Sequence, residues 1–116
     1  MSDSLQALAR QLEQFAQARD WQQFHSPKNL ASALVVEAGE LLENFQWLTE
    51  DQSRALPPEK LLAVRKEVAD VLLYLIQLST ALQIDPVKAA IEKLALNDLK
   101  YPADKVRGTS KKYDEL

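Results

Sequence analysis

Apolar residues along this chain recur at the three- and four-residue steps of helices rather than at the alternate positions of strands. Leu5, Leu8, Leu12 and Phe15 form the first such series, with the capping residues Ser2, Asp3 and Ser4 ahead of it. The spacing predicts a helix reaching Arg19 or Asp20. A short connector, Trp21 to His25, follows. Ser26-Pro27 joins a favoured N-cap to the residue best tolerated at the first helical position. It opens a second helix whose apolar stripe is Leu30, Leu34, Leu41, Leu42, Phe45 and Leu48. The polar stretch Thr49 to Pro57 reads as a loop, and a third helix runs from about Pro58 to Gln83. Asp85-Pro86 repeats the start signal for a fourth, with Val87, Ala90, Ile91 and Leu94 on its buried side and Tyr101-Pro102 as its stop. The expected fold is all-α: a four-helix antiparallel bundle-type protomer. Residues 1–102 would form one domain, and residues 103–116 a basic tail that is mobile or closes over a ligand.

The third helix departs from simple amphipathicity. Val68, Val71, Leu72, Leu73, Leu75, Ile76 and Leu78 cover nearly every face. A helix that is apolar all round is buried all round, which a single small chain of four helices does not readily achieve. Burial between copies solves the problem, so a homo-oligomer is expected, a tetramer in preference to a dimer.

Composition narrows the chemistry. The chain has 116 residues, enough for one core, with 47% hydrophobic and 27% charged residues, an ordinary globular mixture. Only 2 glycines and 5 prolines leave little turn material for a many-stranded β fold. The absence of cysteine excludes a disulfide scaffold, a thiolate zinc site and a cysteine nucleophile. A net charge of −3 does not suggest a nucleic-acid polymer as partner. Met1 to Arg10 lacks the layout of a signal peptide, and no stretch of about 18 apolar residues suggests a membrane span. A cytoplasmic location is the expectation.

The acidic residues carry the chemical signal. Glu37 and Glu40 are three apart on the second helix, as are Glu67 and Asp70 on the third. Such pairs lie on one helix face, roughly 60° apart. Measured from the expected helix ends at Leu48 and Pro58, Glu40 and Glu67 stand at rises of about 12 and 13.5 Å, so an antiparallel hairpin brings them to one level. Glu37 and Asp70 then meet one turn further along. On the helical wheel Glu37 falls among Leu30, Leu34, Leu41 and Leu48, and Glu67 among Val64, Val71 and Leu78. Only Asp70 has a basic residue one turn away, Lys66. Two like charges about 5 Å apart repel by roughly 3 kcal/mol at an effective dielectric of 20. Four acids so placed need a counter-charge, and all-oxygen ligands select a hard dication, Mg²⁺ or Mn²⁺. A di-iron carboxylate bundle would need Glu-x-x-His motifs, whereas the one histidine, His25, lies elsewhere.

Mg²⁺ held by a few carboxylates usually also binds substrate phosphates. Trp47, seven residues beyond Glu40, and Tyr74, four beyond Asp70, offer flat side chains for a stacked base, as do Trp21 and His25 in the connector. Lys93, Asn97 and then Lys100 or Tyr101 fall at helical steps, and Lys105, Arg107, Lys111 and Lys112 follow in the tail; these suit triphosphate oxygens. No phosphate-cradling glycine loop is present. Gly39, which costs about 1 kcal/mol of helix propensity, would mark a close approach by another chain or a ligand.

These residues resemble a known family. Glu37-x-x-Glu40, 26 intervening residues and Glu67-x-x-Asp70 resemble the signature of the all-α nucleoside triphosphate pyrophosphohydrolases of the MazG type. The run from Arg19-Asp20-Trp21 through His25-x-Pro27-Lys28-Asn29-Leu30 is similar to the dCTP pyrophosphatase branch. So are Glu37-Ala38-Gly39-Glu40-Leu41, Phe45-Gln46-Trp47, Asp70-Val71-Leu72-x-Tyr74-Leu75, Lys93 with Asn97, Lys100-Tyr101-Pro102 and the closing Lys112-Tyr113. The resemblance implies hydrolysis of a nucleoside triphosphate, dCTP or a related dNTP, to monophosphate and pyrophosphate. It implies Mg²⁺ on Glu37, Glu40, Glu67 and Asp70, with Glu40 and Glu37 catalytic. It further implies a base pocket of Trp21, His25, Trp47 and Tyr74, and phosphate or sugar contacts from Lys28, Lys93, Asn97 and Tyr101. Leu12 departs from the pattern by offering no polar base contact. Two other readings stay open: a non-catalytic metal-binding helical interaction protein, and the same chemistry on dUTP or damaged nucleotides.

Overall fold

The computed structural model describes residues 2–111 and 113–115. Lys112, expected among the tail cations, lies outside the described residues, as does the side chain of Tyr113. Among the described residues the fold is all helical: α1 Ser2–Ala18, α2 Pro27–Glu43, α3 Glu50–Ser53, α4 Pro58–Ala81, α5 Pro86–Lys100 and α6 Ala103–Val106, with single 3₁₀ turns at Gln22–Phe24 and Tyr113–Glu115. None of these helices is long and apolar enough to cross a membrane.

The start signals act as their chemistry requires. Ser26 Oγ accepts from the Asn29 amide at 3.2 Å, and Asp85 Oδ1 accepts from the amides of Val87 and Lys88 at 3.0 and 3.1 Å. Each cap is followed by a proline whose missing N–H costs the first turn nothing. The first helix already includes Ser2, so Ser2, Asp3 and Ser4 form its opening turn instead of preceding it.

Two boundaries differ from the sequence reading. α2 stops at Glu43, not Leu48. Beyond it the amides of Asn44, Phe45 and Leu48 bond three residues back, to Leu41, Leu42 and Phe45, which tightens the chain into turns. The Asn44 side chain also donates to the Glu40 carbonyl at 3.2 Å, taking an acceptor a continuing helix would use. The expected loop 49–57 contains α3. Its capping box is complete: Thr49 Oγ1 accepts from the Gln52 amide at 3.1 Å, and Gln52 Oε1 accepts from the Thr49 amide at 2.9 Å.

The chain forms two compact units, Met1–Gln83 and Ile84–Leu116. In the first, α2 packs on α4, and α1 makes a smaller contact with α4. Its core gathers Ala16 of α1, Leu30 of α2 and Ile76 of α4, with Ser79 buried beside them and its hydroxyl spent on the Leu75 carbonyl at 2.8 Å. The second unit consists of α5, α6 and the last 3₁₀ turn; the expected boundary at residue 102 falls inside it, between α5 and α6.

Much apolar surface of α4 is left open. Leu61, Leu62, Val68, Leu72 and Leu75 are each two-fifths exposed or more.

Candidate functional site

The α2–α4 seam is built from half-buried aliphatic residues, and the acids share their stripes. On α2, Leu30 is buried and Leu34, Glu37 and Leu41 are half-buried; on α4, Val64, Glu67, Val71, Tyr74 and Leu78 are half-buried. Packing the leucines and valines together therefore carries Glu37 and Glu67 into the seam. One carboxylate oxygen from each of Glu37, Glu67 and Asp70 lies within 4.8 Å of the others. Glu40 adjoins the same group on its open side, where it lines an acidic cleft of about 580 Å³ with Glu43, Glu59, Lys66 and Glu67.

The electrostatics of this seam are unfavourable as it stands. Oε2 of Glu37 and Oε2 of Glu67 are sealed from solvent, and no hydrogen-bond donor among the described residues reaches either. Burial pushes the Glu37 carboxyl up to about 7, followed by the adjoining Glu40 and by the charges of Asp70 and Glu67. Glu67 is also raised, first by burial and then by the charges of Glu40 and Asp70, while contact with Glu37 opposes the shift. A buried carboxylate oxygen without a partner is costly. An all-oxygen donor set with two sealed, unpartnered oxygens suits a hard divalent cation such as Mg²⁺ or Mn²⁺.

The flat residues are placed by the chain's turns. α1 ends at Ala18, and two residues on Asp20, with a φ of 52°, turns the chain away from the helix; the Asp20 amide bonds the Gln17 carbonyl at 3.1 Å and the Trp21 amide bonds the Ala16 carbonyl at 3.0 Å. Trp21 follows at once, and its ring meets Phe15 edge-on at 5.7 Å. His25 lines a mostly apolar pocket of about 240 Å³ with Leu12, Gln22, Leu30, Ile76 and Thr80. Tyr74 stands one turn beyond Asp70 on the seam side of α4. Trp47 does not ride on α2, which has already ended; it sits in the following turns and is 86% exposed. Lys28 is exposed in the first turn of α2.

Lys93, Asn97 and Tyr101 belong to the second unit. Asn97 and Tyr101 line an open cleft there with Ile91, Leu94 and Asp98, and Lys93 is exposed on the same helix. Lys105, Arg107 and Lys111 are exposed. At Gly39 a Cβ would find nothing within 4 Å, so no other described part of this chain approaches it.

Several lining residues escaped the sequence reading. Glu43 extends the Glu37, Glu40 row by another three-residue step, and Glu59 lies eight residues before Glu67; a search for acids at helical spacing would have found both. Gln22 of the 3₁₀ turn and Gln77 and Thr80 of α4 line the pocket with His25, and no spacing along the chain signals that these two distant elements meet.

Similar proteins bear on this geometry. The model of the MazG-like family matches residues 33–116. The chain is 43% identical over 115 residues to dCTP pyrophosphatase 1 of Mus musculus, spanning 97% of this chain and 68% of that protein. It is 41% identical, with the same coverage, to dCTP pyrophosphatase 1 of Homo sapiens. A crystal structure of a pyrophosphatase from Archaeoglobus fulgidus matches with a TM-score of 0.81 and 37% identity, over 85% of this chain and 93% of that one.

Proposed function

Because the chain belongs to the MazG-like family, we propose that it is a nucleoside triphosphate pyrophosphohydrolase acting on dCTP or a related dNTP. Water adds at the α-phosphorus, the bond to the bridging oxygen breaks, and the products are the nucleoside monophosphate and pyrophosphate. The observation that carries this reading is the convergence of Glu37, Glu67 and Asp70, with two carboxylate oxygens sealed and unpartnered.

Glu37, Glu40, Glu67 and Asp70 would hold Mg²⁺ or Mn²⁺. A bound dication supplies charge neutralisation on phosphate oxygens and a lowered pKa for water at the site. The chain's own residues do the rest. Glu40 is the exposed member of the four and adjoins an open cleft, so it orients the attacking water and takes its proton, with Glu37 beside it. Trp21, His25, Trp47 and Tyr74 receive the base, where stacking accepts any flat heterocycle. Lys28, Lys93, Asn97 and Tyr101 bind phosphate or sugar, and the tail cations offset triphosphate charge. The open apolar surface of α4 is covered by further copies of the chain, a homotetramer in preference to a dimer. A cytoplasmic location is compatible with this substrate class and is the one proposed.

Incubation with a panel of dNTPs and NTPs plus Mg²⁺, with products identified by chromatography, tests the reading. Monophosphate with pyrophosphate is the expected outcome. Diphosphate with phosphate, or no turnover, rejects it.

A further inference from the structure

Trp21 is not left to its own rotamers. Its amide is tied to the carbonyl of Ala16, a residue only 3% exposed, so its backbone is anchored in the core of the first unit. The residue is 44% exposed, which leaves surface for a ligand, and its ring meets Phe15 edge-on at an interplanar angle of 69°. Arg19 completes the group. Its Cζ lies 3.6 Å from the Phe15 ring centroid and 6.0 Å from that of Trp21, and its Nη1 donates to the Phe15 carbonyl at 3.1 Å. Among the described residues no carboxylate pairs with Arg19. The guanidinium is therefore committed to the two rings and to the helix end that carries them. Asp20 extends the arrangement: its carbonyl and its Oδ2 both accept from Gln23 Nε2, at 2.9 and 3.1 Å. That fixes the 3₁₀ turn flanked by Trp21 and His25, of which Gln22 and His25 line the apolar pocket.

We infer that Arg19 is a positioning residue: by capping the Phe15 ring beside Trp21, it holds the indole in the one orientation that meets the base of a bound nucleotide. This rests on the proposed role of Trp21 in receiving the base. An exposed cation–π contact is weak, so removing it loosens the ring without unfolding the helix end. The cost falls on binding, because ordering a mobile ring must then be repeated at each encounter with substrate.

The test combines kinetics with a spectroscopic readout. Arg19→Met keeps the aliphatic length and removes the planar charge. It should raise KM for the preferred triphosphate about two- to fivefold, with kcat changed less than twofold. In a Trp47→Phe background, where Trp21 is the single tryptophan, it should increase acrylamide quenching of the indole fluorescence. Arg19→Met added to Trp21→Ala should raise KM no further than Trp21→Ala alone. If Trp21→Ala raises KM while Arg19→Met leaves KM unchanged, with or without a lower thermal midpoint, the positioning role is overturned and the base-stacking reading stands. A KM rise in Arg19→Met without increased quenching means that Arg19 meets the ligand itself, which also overturns it. An unchanged KM in Trp21→Ala removes Trp21 from the base site and this inference with it.

Discussion

Glu37 of α2 and Glu67 of α4 turn their Oε2 atoms into the same seam, and neither oxygen meets a hydrogen-bond donor among the described residues. Two carboxylates so placed oppose the packing that brought them together. Replacing one by its amide removes the repulsion and the proposed metal site at once. Glu37→Gln and Asp70→Asn should therefore keep the far-UV circular dichroism of the parent while abolishing Mg²⁺-dependent turnover. The loss should exceed the roughly 10- to 100-fold typical of removing a group that merely supports a metal ligand. Full activity in either variant, or in excess chelator, refutes the site.

The raised carboxyl of Glu37 sets a pH dependence of stability. Its pKa is about 7 in the folded chain against 4.5 unperturbed, so between these values the folded state binds more protons than the unfolded state. Stability from this group is fully present below 4.5 and is lost as pH rises through 7. In chelator, the denaturation midpoint should fall from pH 5 to pH 8, and Glu37→Gln should flatten that slope. Mg²⁺ competes with the proton, so its stabilisation should be larger at pH 8 than at pH 5. A midpoint that climbs over this range in chelator contradicts the assignment.

Trp47 offers a cleaner separation of binding from folding. At 86% exposure its ring contributes little to the packing of the first unit. Stacking on a base is worth about 1–3 kcal/mol. Trp47→Ala should leave the thermal midpoint nearly unchanged, weaken nucleotide binding by roughly 10-fold or more, and alter the ranking of bases in a dNTP panel. An unchanged ranking takes Trp47 out of the base pocket.

What could be read from the residues was what short-range chemistry dictates. Ser26-Pro27 and Asp85-Pro86 located two helix starts because a cap and a proline act within one turn. Helical periodicity and an antiparallel hairpin led to the expectation that Glu37, Glu40, Glu67 and Asp70 converge; Glu37, Glu67 and Asp70 come within 4.8 Å of one another, with Glu40 outside that group, despite a five-residue error in the end of α2, because the aliphatic stripes, not the turn, fix the register. The same error mattered for Trp47, which depends on the turn itself. The capping box of Thr49 and Gln52 was present in the sequence, but a four-residue helix leaves no periodicity to notice. Left-handed backbone at Asp20 and Gln83 had no glycine to announce it. The pocket of Leu12, Gln22, His25 and Ile76 required three-dimensional closure of separate elements.

The outer surface of α4 makes the last prediction. Val68, Leu72 and Leu75 follow one another at steps of four and three, on a stripe that adjoins the one of Val64, Glu67, Val71 and Tyr74, and remain 50%, 41% and 41% exposed. Covering a leucine fully is worth about 1.5–3 kcal/mol, and in a symmetric assembly each copy gains it. A carboxylate at the same place must be desolvated without a partner, which costs more than the leucine contributed. Leu72→Asp should therefore split the proposed assembly while leaving the seam acids untouched. Light scattering coupled to size exclusion should show a multiple of 13.1 kDa for the parent chain and a shift towards 13.1 kDa for the variant. Leu72→Ala, which removes apolar area but adds no charge, should give a smaller shift at the same protein concentration. A parent chain that elutes as a monomer at micromolar concentration would leave this stripe without the proposed partner.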